Sequence, residues 1–248
     1  MPPKDRLWAD PFIVYRDHRY YIFVEELLYK VGKGHIAVIE MAPDGAVQQP
    51  IKLIERPYHL SYPFVFEWND KYFMLPESSA ARSVELYECV DFPTKWEFRL
   101  ALMTDVQAVD STLFYHQNKW WLFANMLENP GASIYDELFL FYADHLLSTN
   151  WTAHPMNPIV SDVKRARPAG RIFQKNGKIY RPAQNSRFRY GYGLMLNEIT
   201  VLSETDYQET LVETIEPLWD GRIKSVHTLN HAENLTCADA IWLRSRFF

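Results

Sequence analysis

Four carboxylates recur at matched places in the chain: Asp10, Glu25, Glu77 and Asp110. Asp10 and Asp110 each stand within an apolar run, whereas Glu25 and Glu77 each close the run after a polar turn. Carboxyl groups gathered at one height can divide the work of cleaving a glycosidic bond. One activates water, a second protonates the leaving oxygen, and a third tunes the acid or orients the sugar. The same residue types also cap turns by accepting backbone N–H bonds, a structural use that needs no substrate.

Hairpins must position these groups. Leu7 to Tyr15, the turn Asp17-His18 and Tyr20 to Glu26 form two β-branched and aromatic runs about a polar pair, an antiparallel signature. Symmetry about that turn sets Asp10 opposite Glu25, on one face of the sheet. The unit recurs around Asn69-Asp70, Gln117-Asn118 and Asn176-Gly177, and more weakly at 226–242. Aligned on the turns, the first-strand positions are Asp10, Tyr62, Asp110, Ala169 and His227. The opposed positions Glu25, Glu77, Asn125 and Gln184 each lie 15 residues on. Two further strand-like runs follow each of the first four hairpins, the last of them in the third unit reduced to a short piece at Trp151. Four strands at a period near 50 residues is the pattern of a propeller blade. The expectation is an all-β, five-bladed β-propeller with four-stranded antiparallel blades, a single domain over 1–248. Its blades fall at about 7–56, 57–104, 105–156, 163–217 and 222–248, the last incomplete. A two-sheet sandwich supplies as many strands but does not require a repeated register.

The inner strands of a propeller line its channel, so the aligned residues Asp10, Glu25, Tyr62, Glu77, Asp110, Asn125, Gln184 and His227 should ring one mouth. His59 and His227 titrate near neutrality and can donate a proton or bind hydroxyls. Residues 161–193 hold nine Lys and Arg against Asp162 alone, in a chain whose net charge is −5. Arginine forks match carboxylate and phosphate, so Arg167, Arg171 and Arg181 read as an anion site, with a solvated surface as the alternative.

The negative balance argues against nucleic acid as a partner. Cys89 and Cys237 imply no disulfide framework. No apolar leader or long apolar span occurs, so the chain reads as soluble and cytoplasmic, or as a domain cut from a longer protein. Gly-rich phosphate loops, zinc-spaced Cys/His sets and Gly-x-Ser-x-Gly elbows are lacking, and no cofactor or metal is implied.

At Ala9-Asp10-Pro11-Phe12 with Tyr20-Tyr21-Ile22-Phe23, the chain resembles five-bladed propeller glycosidases such as glycoside hydrolase families 43, 32 and 117. A resemblance over nearly the whole chain rests on Ser61-Tyr62-Pro63-Phe64, Leu75-Pro76-Glu77-Ser78, Phe92-Pro93-Thr94-Lys95-Trp96, Val109-Asp110-Ser111-Thr112 and Arg167-Pro168-Ala169-Gly170-Arg171. Arg181-Pro182-Ala183-Gln184 and Val226-His227-Thr228-Leu229-Asn230 extend it. These motifs look like the N-terminal propeller of plant glucosamine inositolphosphorylceramide transferases. The family 43 likeness implies Asp10 as general base and Asp110 as the pKa-tuning aspartate. Its acid glutamate is missing from the fourth inner strand, where Arg167-Pro168-Ala169 stands. The transferase likeness implies a separate, fused or partner transferase domain.

The expected function is therefore a glycosidase-like enzyme on an acidic or phosphorylated sugar. Asp10 activates water, Glu77 protonates the leaving oxygen and Asp110 orients the acid. Glu25, His59, Tyr62, Asn125, Arg167, Arg171, Arg181, Gln184 and His227 hold substrate. The alternatives are a non-catalytic glycan-binding or accessory propeller of a glycosyltransferase or formyltransferase system, and a glycosyl-transferring enzyme using the same carboxylates.

Overall fold

Each repeated turn is built from two residues that tolerate positive φ. Asp17-His18, Asn69-Asp70, Gln117-Asn118 and Asn176-Gly177 all have φ between 50° and 76°. Two positive-φ residues give the mirror-image turn whose twist suits antiparallel strands. The computed structural model describes residues 1–129 and 131–243.

Four antiparallel sheets follow one another along the chain. The first holds β1 (Arg6–Arg16), β2 (Arg19–Leu28), β3 (Gly34–Met41) and β4 (Ile51–Ile54), paired in that order. The second holds β5 (Ser61–Trp68), β6 (Lys71–Glu77), β7 (Ser83–Asp91) and β8 (Lys95–Thr104). In the third, β9 (Ala108–His116), β10 (Lys119–Met126), β11 (Glu137–Ala143) and β12 (Thr152–Ala153) pair likewise, and β13 (Val160–Ser161) adds to β11. The fourth holds β14 (Phe173–Lys175), β15 (Lys178–Asn185), β16 (Gly193–Leu202) and β17 (Tyr207–Ile215). This is a β-propeller of four-stranded antiparallel blades.

Five blades were expected, the fifth incomplete, and the described residues form four complete ones. The fifth interval instead carries two separate ladders, β18 (Ile223–Ser225) with β21 (Ile241–Trp242) and β19 (Leu229–Ala232) with β20 (Leu235–Ala238). Residues 244–248 of that interval lie outside the described residues. β19 packs on β1, and the Asn230 amide donates to the Pro11 carbonyl at 2.8 Å, so this segment closes against the first blade.

One apolar cluster joins the first three blades through Phe12, Phe23, Phe64, Leu75, Leu86 and Leu122. A second, with Trp121, Phe123, Leu140 and Ile199, seals the third blade to the fourth. Apolar faces pressed together between blades supply the driving force that each sheet alone lacks. Cys89 and Cys237 are unbonded and half-buried. Among the described residues no helix is long and apolar enough to cross a membrane.

The inner hairpins depart from their expected register at one repeated place. Glu25 lies opposite Ala9, Glu77 opposite Ser61 and Asn125 opposite Val109, one residue short of Asp10, Tyr62 and Asp110. A bulge in each inner strand absorbs the difference. The bulged residues have positive φ: 52° at Asp10, 42° at Tyr62 and 50° at Asp110. Gly170, at φ 135°, stands at the corresponding bend of the fourth unit, where its missing Cβ lets the Leu229 carbonyl approach.

Candidate active site

The bulges release backbone N–H groups from the ladders, and carboxylates collect them. The Asp10 N–H donates to Asp239 Oδ2 at 3.0 Å, and the Tyr62 N–H to Asp10 Oδ2 at 3.1 Å. The Asp110 N–H donates to Glu77 Oε2 at 3.3 Å. Two side-chain groups result.

The first joins Asp10, His227 and Asp239. The imidazole places Nδ1 2.8 Å from Asp239 Oδ2 and Nε2 3.3 Å from Asp10 Oδ1. The Thr228 hydroxyl donates to Asp10 Oδ1 at 2.9 Å. Burial pushes the Asp10 carboxyl up to about 7; His227 opposes the rise, and Asp239 and Asp110 add to it. Burial alone lowers the His227 pKa, but the Asp239 and Asp10 charges overcome it and lift it to about 10. His227 is thus an imidazolium at neutral pH. Among the described residues these three offer ligand atoms within 4.8 Å of one another, the one grouping that can hold a metal ion. Both ring nitrogens already face carboxylates, so a metal would have to displace a proton held between them.

The second group joins Glu77, Asp110, Arg167 and Gln184. Arg167 Nε donates to Asp110 Oδ2 at 2.5 Å, and its Nη2 lies 3.7 Å from Glu77 Oε2. The Gln184 amide donates to Asp110 Oδ2 at 2.8 Å. Burial, then the nearby Asp110 charge, push the Glu77 carboxyl up to about 8. A carboxyl raised in this way is suited to hold a proton near neutrality and to give it up. Tyr135 and Tyr190 cover the Arg167 guanidinium, 5.3 and 4.8 Å from their ring centres. The Tyr190 ring also meets the His227 ring at 5.4 Å, which bridges the two groups.

At the side of the first two blades, His59 Nε2 lies 3.1 Å from Glu25 Oε1, and that bond raises the histidine's pKa. Glu26, one residue on, faces the opposite side of the sheet and binds Arg6, Trp8 and His35.

Other predicted residues lie deeper. Tyr62 is wholly buried, its hydroxyl accepting the Gly170 N–H at 2.8 Å. Arg171 donates to the Val65 carbonyl at 2.6 Å. Arg181 forks onto Glu209, 2.8 and 2.7 Å, and that pair holds Glu209 below its ordinary value despite burial. The basic stretch is therefore largely matched from within: only Arg167 of the three arginines meets the carboxylates. Asn125 is buried and donates to the Ile134 carbonyl at 3.3 Å. Sequence reasoning missed Asp239, Tyr190, Tyr135 and Thr228. Asp239 sits beside the fifth unit's second strand, a place the alignment left blank, and Tyr190 lies on a loop.

Comparisons with known proteins place the chain in a family and its fold among solved structures. A family model described as glucosamine inositolphosphorylceramide transferase 1, N-terminal, matches residues 3–230. Glucosamine inositolphosphorylceramide transferase 1 of Oryza sativa subsp. japonica is 32% identical over 218 residues, covering 86% of this chain and 29% of that protein. The Arabidopsis thaliana protein of that name is 32% identical over 207 residues, covering 82% and 27%. The chain thus spans less than a third of the length of these relatives. Among solved structures, the catalytic domain of a family 62 α-L-arabinofuranosidase from Coprinopsis cinerea aligns with a TM-score of 0.70 at 11% identity, over 93% of this chain and 80% of that one. A family 117 glycoside hydrolase of Zobellia galactanivorans aligns with a TM-score of 0.65 at 13% identity, over 86% and 71%. At such identities the likeness establishes the fold alone.

Proposed function

The chain belongs to the family of glucosamine inositolphosphorylceramide transferase 1 N-terminal domains, and from that premise we propose that it cleaves or transfers a glycosidic bond at the mouth of its propeller. The observation that carries this reading is the pair of neighbouring carboxyl groups with divergent partners. Burial raises both carboxyls: Glu77 to about 8, with the Asp110 charge adding to the rise, and Asp10 to about 7, with His227 opposing it. Asp10 takes a proton from the attacking water, or from a sugar hydroxyl in transfer. Glu77 gives its proton to the glycosidic oxygen as the bond to the anomeric carbon breaks. Asp110, fixed by Arg167 and Gln184, adds its charge to the burial that raises Glu77. Tyr190 offers the face on which a sugar ring stacks, and His59 with Glu25 binds hydroxyls at the side.

The ladders of residues 223–242 are this chain's share of a fifth blade, since they lie against β1 and supply His227 to the mouth. Arg167, Arg171 and Arg181 are engaged internally, so an acidic or phosphorylated group on the substrate belongs at the rim. There Arg187 and Arg189 flank the exposed ring of Phe188.

A second reading, a glycan-binding propeller that serves a fused or partner transferase domain, draws support from the fraction of the relatives' length that the chain spans. Hydrolysis and transfer screens with aryl glycosides and acidic and neutral oligosaccharides separate the readings. Turnover abolished in Asp10→Asn and in Glu77→Gln supports the enzyme. Turnover surviving in Asp10→Asn refutes the assigned base, and saturable binding without turnover supports the accessory role.

A further inference from the structure

The far face of the propeller carries a second constellation. Trp68 ends the inner strand β5 and Tyr115 is the last residue but one of β9, near the turns at Asn69 and Asn118. Trp68 is six residues along β5 from Tyr62, about 20 Å at roughly 3.3 Å per residue, so this face is remote from the carboxylates. Between the second and third blades the two side chains wall a groove of about 650 Å3. That volume falls within the range of small-molecule sites.

Its walls are aromatic and its rim is charged. The Trp68 ring meets Tyr115 at 4.5 Å and the buried Trp120 at 4.8 Å, which fixes the planes of all three. Tyr115 nevertheless stays 39% exposed. A large ring that is braced on one side and open on the other presents a ready stacking surface. Across the groove Glu88 holds Lys71 at 2.6 Å and Arg99 at 3.5 Å. Lys71 and Arg99 share Glu88, while Asp144 pairs with Lys119, which also meets Glu204; three cations and three carboxylates cancel, so the groove has no net charge to offer an ion. Rigid ring faces beside a braced row of donors and acceptors suit a ligand with an apolar face and many hydroxyls.

We propose that this groove binds a neutral oligosaccharide, stacked on Tyr115 and Trp68 and hydrogen-bonded by Arg99 and Glu88. The site is independent of the chemistry at the other face and would hold a glycan chain while the mouth acts, or anchor the domain to a glycan surface.

Cellotriose, xylotriose, mannotriose and maltotriose are titrated into the whole chain, with binding read by calorimetry and by tryptophan fluorescence. At least one trisaccharide is expected to bind saturably and to perturb the fluorescence. Tyr115→Ala and Arg99→Ala should each weaken it about tenfold, consistent with the loss of one stacked ring or one charged donor. Asp10→Asn should leave that affinity unchanged. Both groove residues are substantially exposed, so these variants keep the fold, which far-ultraviolet dichroism checks. The proposal is overturned if no trisaccharide binds at millimolar concentration. It is equally overturned if binding survives both groove variants but is lost in Asp10→Asn, which would assign it to the mouth.

Discussion

Removing the Arg167 guanidinium tests how the carboxylate cluster is held. Arg167 and Asp110 are almost wholly buried, 5% and 2% exposed, and Glu77 shares the same cation. Arg167→Met keeps an unbranched chain between Tyr135 and Tyr190 but deletes the charge. Breaking one partner out of a buried pair typically costs about 3–5 kcal/mol, because the remaining ion is left uncompensated. For a chain of this size that corresponds to a fall in melting temperature of roughly 6–20 °C. The loss must depend on pH. Without the arginine, burial and the Asp110 charge lift the Glu77 carboxyl further above its unfolded value. A raised folded pKa gives stability that grows as pH falls, so the deficit should shrink between pH 8.5 and pH 5. Denaturant unfolding of the parent, Arg167→Met and Arg167→Lys across that range measures it, with the lysine variant retaining most of the stability. A deficit under about 1 kcal/mol, or one that stays flat with pH, would refute Arg167 as the counter-ion of the cluster.

Three further outcomes follow from the same geometry. If Asp10 acts ionised and Glu77 protonated, the rate on an aryl glycoside rises with pH through about 7 and falls through about 8, a narrow bell; a plateau extending past pH 9 would exclude Glu77 as the acid. Asp239→Asn removes the charge that raises His227, so the imidazole titration followed by nuclear magnetic resonance should move down from about 10 by at least one unit. Because a raised histidine pKa stabilises the fold below its unfolded value and loses that contribution as pH rises through the folded one, the variant should also flatten the decline in stability between about pH 6.5 and 10. Gly34→Ala would set a Cβ 2.6 Å from the Leu60 carbonyl and 2.7 Å from Glu25 Oε1; unfolding should show a cost of about 1–3 kcal/mol, with the His59–Glu25 pair displaced.

Much of the architecture was legible because turn chemistry and alternation are local. Asn176-Gly177 and its counterparts declare two-residue turns, and the runs beside them admit little but strands. The one-residue register error at Asp10, Tyr62 and Asp110 has an equally definite cause. A bulge is stabilised by partners outside its own hairpin, here Asp239 and Glu77, so symmetry about the turn cannot reveal it. Arg181 misled for a related reason. A charge count over 161–193 registers the arginine but not Glu209, its partner on the outer strand β17. Asp239 was invisible because it follows the fifth unit's weak second strand and reaches Asp10 across 229 residues. Contacts of that range are where tertiary structure overrides pattern.

The bulges also decide what Asp10→Asn will do. A positive φ at a non-glycine residue costs on the order of 1–3 kcal/mol and persists only where neighbours impose it. At Asp10 those neighbours are the Asp239 carboxylate on its N–H, and the Tyr62 N–H and Thr228 hydroxyl on its two oxygens. Asparagine keeps one acceptor oxygen, which can still take the Tyr62 N–H. Its amide NH2 then points at Thr228, whose hydroxyl can turn to accept, and at His227 Nε2, whose proton cannot stay. The imidazole must become neutral, holding its remaining hydrogen on Nδ1 toward Asp239. Asp10→Asn should therefore fold with the parent register while the His227 pKa falls from about 10 toward its ordinary range. A single titration of the His227 ring in that variant reads this directly. An unchanged value near 10 would mean that Asp239 alone holds the proton, and that Asp10 is free of His227 when it meets substrate.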